Sequence, residues 1–131
     1  MEWPAVFLVF LVSHLVGDWI LQTDWQATNK PHGLTSNGIP RRALASHAAV
    51  YTLCFVPSLV WLADSLSAGE LLLVAALIGV PHFIQDDGRL IGAYARRIKK
   101  LDVAAHPLVL LAVDQGFHVL ALFLIAIAIG S

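Results

Sequence analysis

Residues 3–22 read WPAVFLVFLVSHLVGDWILQ. A helix of about 20 residues crosses about 30 Å of hydrocarbon, and the only ionisable side chains in this run are His14 and Asp18. A membrane-barrel strand would be about ten residues of alternating polarity; this run is longer and does not alternate. The leading Met1, Glu2, Trp3 and Pro4 carry no positive charge, and no small-x-small cleavage site follows. A retained span is therefore expected, not a cleaved signal peptide.

Three further runs have the same character, at about 43–63, 69–91 and 104–130. Together with 3–22 they predict a single four-span transmembrane domain over residues 1–131. The composition agrees: 58% of the chain is hydrophobic and 13% charged, against about 25% charged in soluble domains. A net charge of −1 leaves no broad basic face for nucleic acid. The lone Cys54 has no partner for an internal disulfide and reads as a small packing residue. The linker DSLSAGE (64–70) is short, so the helices on either side of it run antiparallel. The expected fold class is all-α, an integral membrane four-helix up-down bundle.

All eight Lys and Arg lie in or beside two segments: Lys30, Arg41 and Arg42 after the first span, and Arg89, Arg96, Arg97, Lys99 and Lys100 after the third. The positive-inside rule then puts both segments in the cytoplasm and both termini outside it. The first segment, TDWQATNKPHGLTSNGIPRR, carries turn signals at Pro31, Gly33, Asn37-Gly38 and Pro40. The run ARRIKK (95–100) reads as a charged continuation of the third helix.

Three His/Asp pairs are spaced four apart within the spans: His14/Asp18, His82/Asp86 and Asp114/His118; His47 has Tyr51 four residues later. On a helix such pairs share a face. An intramembrane carboxylate costs about 2.5–3.5 kcal/mol on insertion scales, so it marks a partner or a function. Depth along the spans places the first three groups in one inner layer. Asp114 and His118 lie deeper, about 15 and 21 Å from a helix start near Ala104 at 1.5 Å per residue.

Imidazole and carboxylate without clustered cysteine suit a divalent transition metal: zinc foremost, with iron or manganese as alternatives. The candidate ligands are His14, Asp18, His47, His82, Asp86, Asp114 and His118. They exceed one tetrahedral site and suffice for two metals with bridging carboxylates, or for one metal with supporting carboxylates. A hydrogen-bonded His–Asp network that staples the helices, and a proton or ion path, are the competing readings. Gln22 and Gln115 stand beside the ligands as orienting donors. Asp114 and Tyr51 are the candidate catalytic proton carriers. Arg89, seven residues from His82, shares its face on a continuous helix, and with Lys30 it is the candidate binder of an anionic group. Gly17, Gly79 and Gly116 are candidates for close helix approach.

At HLVGDWILQTDW, SHAAVY, HFIQDDGR and DQGFH the chain resembles a bacterial family of small four-span membrane proteins, the domain-of-unknown-function 3307 family. The matching positions are His14, Gly17, Asp18, Leu21, Gln22 and Thr23; His47 and Tyr51; His82, Phe83 and Asp86; and Asp114, Gln115 and His118. Arg89 stands where the family more often has Lys. The resemblance implies a bacterial inner-membrane protein but no established activity. A fainter resemblance is to membrane-bound metal-dependent hydrolases. The residues and the resemblances together lead to an intramembrane metal-binding protein, with membrane lipid as its partner, that hydrolyses a phosphate- or ester-bearing membrane substrate; a metal-ion or proton carrier or channel and a structural membrane partner are the alternatives.

Overall fold

The computed structural model describes residues 2–130; Met1 and Ser131, the two ends of the expected domain, lie outside the described residues. The described residues form helices and no strands. Helix α1 (Trp3–Leu15) begins with Pro4 in its first turn, where a missing N–H costs nothing. It runs directly into a π-helical turn, Val16–Ile20, whose wider winding shows in the Leu21 N–H to Val16 carbonyl bond. Helix α2 (Asp24–Asn29) follows, capped by a reciprocal pair in which Thr23 and Gln26 satisfy each other's backbone N–H groups. The segment read from its turn signals as a loop thus contains a helix, ahead of those signals.

Helix α3 (Ile39–Leu53) starts four residues earlier than expected, because Pro40 sits in its first turn and initiates the helix instead of breaking it. Pro57 offers no N–H to the carbonyl four residues back, and the chain tightens at Cys54 and Phe55 before α4 (Val56–Leu62). Helix α5 (Ala68–Asp86) opens with the Ser67/Glu70 capping box. It ends at Asp86 because Gly88 adopts φ 81°, a left-handed conformation that closes helices. Helix α6 (Arg89–Arg97) is therefore a new helix, and the expected continuous third span through residue 91 and on into ARRIKK is corrected. Helix α7 (Pro107–Ile129) completes the chain.

Four helical stretches are long and apolar enough to cross a membrane: Trp3–Ile20, Ile39–Leu62, Ala68–Asp86 and Pro107–Ile129. Helix α1 packs on α7, α3 on α5, and α5 on α7, while α4 touches α1 and α5. Val6, Phe10, Tyr51, Phe55, Leu62, Val74, Ile78 and Leu122 form the apolar core. The outward faces are also apolar: Ile20, Val60, Leu72 and Leu108 are each more than 65% exposed. Hydrocarbon solvates such a surface and water does not. The buried His and Asp side chains gather where Lys30, at the end of α2, reaches Asp86 at the end of α5, while the buried Ser13–Ser58 pair lies between α1 and α4.

Candidate metal centre

Each transmembrane stretch delivers its polar residues to one locus. The π turn supplies Asp18, α3 supplies His47, α5 supplies His82 and Asp86, and α7 supplies Asp114 and His118. Their approach needs small residues at the contacts. A Cβ on Gly17 would lie 2.9 Å from Tyr51 Cδ2 and 3.2 Å from its Cα, and one on Gly79 would lie 2.8 Å from Thr52 Oγ1. Gly116, expected to serve the same purpose, faces open space.

Four ligand atoms converge from Asp18, His47, His82 and Asp86, all buried and within 4.8 Å of one another. His47 Nε2 lies 3.0 Å from Asp18 Oδ1 and 2.8 Å from Asp86 Oδ2. His82 Nε2 lies 3.1 Å from His47 Nε2, 3.3 Å from Asp86 Oδ2 and 3.7 Å from Asp18 Oδ1. A tetrahedron with metal–ligand bonds of about 2.0–2.1 Å has edges of roughly 3.3–3.4 Å, the middle of this range. The donor set fits a divalent cation of the zinc, iron or manganese kind. Two imidazole nitrogens facing each other also need a shared proton or a shared cation to offset lone-pair repulsion. Nδ1 of both His47 and His82 has no hydrogen-bond partner, so each ring meets its polar partners through Nε2 alone.

Asp86, Asp114 and His118 make a second group of three within the same 4.8 Å limit. His118 Nδ1–H donates to the Asp114 backbone carbonyl at 2.8 Å, and His118 Nε2 lies 3.1 Å from Asp86 Oδ1. The depth difference expected for α7 is reduced because the helix starts at Pro107 instead of near Ala104, which removes roughly 4.5 Å.

His14 stands apart from both ligand groups, with both ring nitrogens engaged. Tyr51 Oη–H donates to His14 Nδ1 at 3.1 Å, and His14 Nε2–H donates to Gln115 Oε1 at 3.0 Å. Gln115 Nε2 then donates to Asp18 Oδ2 at 2.8 Å, leaving Asp18 Oδ1 for His47. This chain orients Asp18 from outside the cluster. Trp19, which sequence reasoning passed over, donates Nε1–H to the same Gln115 oxygen at 2.9 Å. Tyr51 is buried, with its ring stacked on His82.

Lys30 reaches in from beyond α2. Its ammonium donates to Asp86 Oδ2 at 2.7 Å and to Gln22 Oε1 at 2.5 Å. Arg89 does not join it. Gly88 ends α5, the face shared with His82 is lost, and Arg89 pairs with Asp87 at 2.5 Å with 41% of its side chain exposed. Asp87, assigned no role in the site from sequence, is buried and ties the first loop to the third: its carboxylate accepts Leu34 N–H and its carbonyl accepts His32 N–H. Burial raises the Asp87 carboxyl pKa, but the Arg89 guanidinium and the Leu34 amide outweigh burial and hold it below its ordinary value.

Two clefts reach the cluster. One, of about 330 Å³, is bounded by Lys30, Gln85, Asp86, Ile91, Leu110 and Asp114. The other, of about 390 Å³, is bounded by Asp18, Trp19, Gln22, Lys30, Asp114 and Gln115. Lys30 and Asp114 face both. Tyr51 lines neither.

A family model described as Protein of unknown function (DUF3307) matches residues 6–131 of the chain. No curated protein and no solved structure matches it.

Proposed function

This chain belongs to the DUF3307 family, and we propose that it is a multi-pass inner-membrane protein, an up-down bundle with a resident divalent metal, most simply zinc, that hydrolyses a phosphate- or ester-bearing membrane lipid. The observation that carries the metal reading is the convergence of Asp18, His47, His82 and Asp86 at tetrahedral edge lengths. With no metal, Lys30 is, among the described residues, the one lysine or arginine paired with these two buried carboxylates, and the rest of their charge would fall to protonated histidines, a costly arrangement inside a membrane.

The hydrolytic reading is supported by the two clefts. Their walls combine apolar side chains such as Ile91, Leu110 and Leu111 with the Lys30 ammonium and the Asp86 and Asp114 carboxylates. A lipid headgroup bearing an anion fits that mixture. A divalent metal supplies Lewis-acid polarisation of a phosphoryl or carbonyl oxygen. Asp114, half-open to both clefts, is placed to take a proton from water, and Lys30 to steady the anionic group. In hydrolysis, water's oxygen bonds to phosphorus or to the ester carbon, the bond to the leaving oxygen breaks, and the proton passes to that oxygen.

Elemental analysis of detergent-purified protein tests the metal reading. At least one equivalent of transition metal is expected, strongly reduced in His82→Ala and Asp18→Ala. Negligible metal, also after reconstitution with zinc, manganese and iron, returns the cluster to a structural His–Asp network. Hydrolysis of phospholipid and isoprenoid-phosphate substrates, lost in Asp114→Asn with the fold retained, tests the activity. Equal turnover in the two proteins, or none from either, favours a carrier or a structural partner.

A further inference from the structure

Asp86 divides its two carboxylate oxygens between different sets of ligands. Oδ2 faces His47 and His82, and Oδ1 faces His118. A carboxylate used this way is the bridging unit of two-metal sites, whose ions stand about 3.5–4 Å apart.

The second observation concerns His118. A carbonyl oxygen only accepts, so the 2.8 Å contact to the Asp114 carbonyl requires the ring hydrogen on Nδ1. In the neutral ring Nε2 then carries a lone pair. This atom belongs to a side chain with no exposure, lies 3.1 Å from Asp86 Oδ1, and has no hydrogen-bond partner. Two electron-rich atoms this close repel unless a proton or a metal cation lies between them, and a metal ion there would also engage Asp114. A histidine whose Nδ1–H is anchored on a backbone carbonyl is the usual arrangement of a metal ligand.

From these features we infer that Asp86 Oδ1, His118 Nε2 and Asp114 form a second divalent-cation site, joined to the four-ligand site through the Asp86 carboxylate. The inference rests on the metal reading above and adds a division of labour. The site formed by Asp18, His47, His82 and Asp86 has four buried protein ligands, the closed set of a structural ion. The Asp86–Asp114–His118 site has three, and the Asp114 side chain is 23% exposed to the clefts. Three protein ligands leave a coordination position for water or for an oxygen of the substrate. One histidine and two carboxylates suit manganese, iron or zinc. The ligand class that bridges such a pair of ions is a phosphate monoester or diester, with the Lys30 ammonium as a third positive group.

The experiment loads metal-free protein in detergent with Mn2+ and reads stoichiometry by elemental analysis and coupling by electron paramagnetic resonance. Wild type is expected to hold two Mn2+ per chain with an exchange-coupled spectrum. His118→Ala is expected to hold one, with the six-line signal of an isolated ion. Asp114→Asn, at a partly exposed position, provides a second variant, and it is expected to weaken the second Mn2+ by at least about tenfold while keeping the first. Size-exclusion elution at the wild-type position establishes that each variant is folded. One uncoupled equivalent in wild type, unchanged by either substitution, overturns the second site and leaves the four-ligand centre standing. No bound Mn2+ in any of the proteins, with zinc also refused, overturns both.

Discussion

The Tyr51 ring lies flat against the His82 imidazole, with centroids 3.4 Å apart and planes 1° from parallel. The hydroxyl of the same residue is spent on His14, away from the clefts. Tyr51 therefore bears on the cluster through two histidines: its face fixes the plane of His82, and its hydroxyl fixes the tautomer of His14. Read from sequence as a candidate proton donor, it is better described as a positioning residue. Supporting groups of this kind hold a ligand within the small tolerance a metal site needs.

The two roles separate by mutation. Tyr51→Phe keeps the stack and removes the hydroxyl, leaving His14 Nδ1 buried without a partner. A loss of about 1–3 kcal/mol in stability is expected, with metal content unchanged. Tyr51→Ala also removes a fully buried aromatic ring, costing about 3–5 kcal/mol, and frees His82 to turn, so bound metal should fall. Thermal unfolding in detergent, paired with elemental analysis of the same samples, makes the comparison. If Tyr51→Phe lost metal as completely as Tyr51→Ala, the hydroxyl and not the stacked face would be what holds the site.

The glycines of the spans give a second contrast. A methyl on Gly17 meets the Tyr51 ring edge at 2.9 Å, and that ring is pinned by His82. Gly17→Ala should destabilise the protein by about 1–3 kcal/mol, because the contact can relax only by moving α3 away. Gly116 has no atom within 4 Å of an added Cβ. Gly116→Ala should be neutral or stabilising by up to about 1 kcal/mol through helix propensity. Denaturation midpoints of the two variants measured side by side decide the point; equal shifts would mean that the packing of the π turn on α3 does not depend on this contact.

Helix content and the polar residues of the cluster were legible in the sequence because long apolar runs isolate each ionisable side chain and leave it conspicuous. The spacing of four was legible only where the helix is regular. It brings His82 Nε2 to 3.3 Å from Asp86 Oδ2 within α5. Between His14 and Asp18 the π turn intervenes, its wider winding undoes the shared face, and His14 supports Asp18 through Gln115. The link drawn from His82 to Arg89 assumed helix across Gly88, where a left-handed residue redirects the chain. Asp87 was hidden for a different reason: in DDGR it looks like one more surface charge, and only the fold of the first loop buries it. Trp19 carried no signal, since a tryptophan near a membrane interface is ordinary.

Asp87 makes the joining of the two loops sensitive to acid. Its folded carboxyl is depressed below the ordinary value of 3.8, so its contribution is fully present above that value and is lost as pH falls through the lower folded one. Asp87→Asn removes the ion pair with Arg89 and weakens the bond from Leu34 N–H. At neutral pH the variant should exchange amide hydrogen faster over residues 32–36, while wild type should approach it only below about pH 3.8. Hydrogen exchange read by mass spectrometry at a series of pH values provides the measurement. Identical protection at neutral pH would mean that the first loop is held by contacts other than Asp87.

The same contact bears on topology. His32 N–H and Leu34 N–H both bond Asp87, so the loop carrying Lys30, Arg41 and Arg42 meets the segment that leads to Arg89, Arg96, Arg97, Lys99 and Lys100. Both basic segments belong to one end of the molecule, and the turn from α4 into α5, with Asp64 in the linker and Glu70 in the first turn of α5, has none of the eight Lys and Arg. Positive charge is retained on the cytoplasmic side during insertion. The expected outcome is a cytoplasmic first loop and two external termini, with the His–Asp cluster and its clefts reached from the cytoplasm. A reporter active only in the cytoplasm should signal when inserted near Ser36 and stay silent when fused after Ser131; an externally active reporter should do the reverse. A cytoplasmic signal after Ser131 with an external one at Ser36 would invert the orientation and open the clefts to the other side of the membrane.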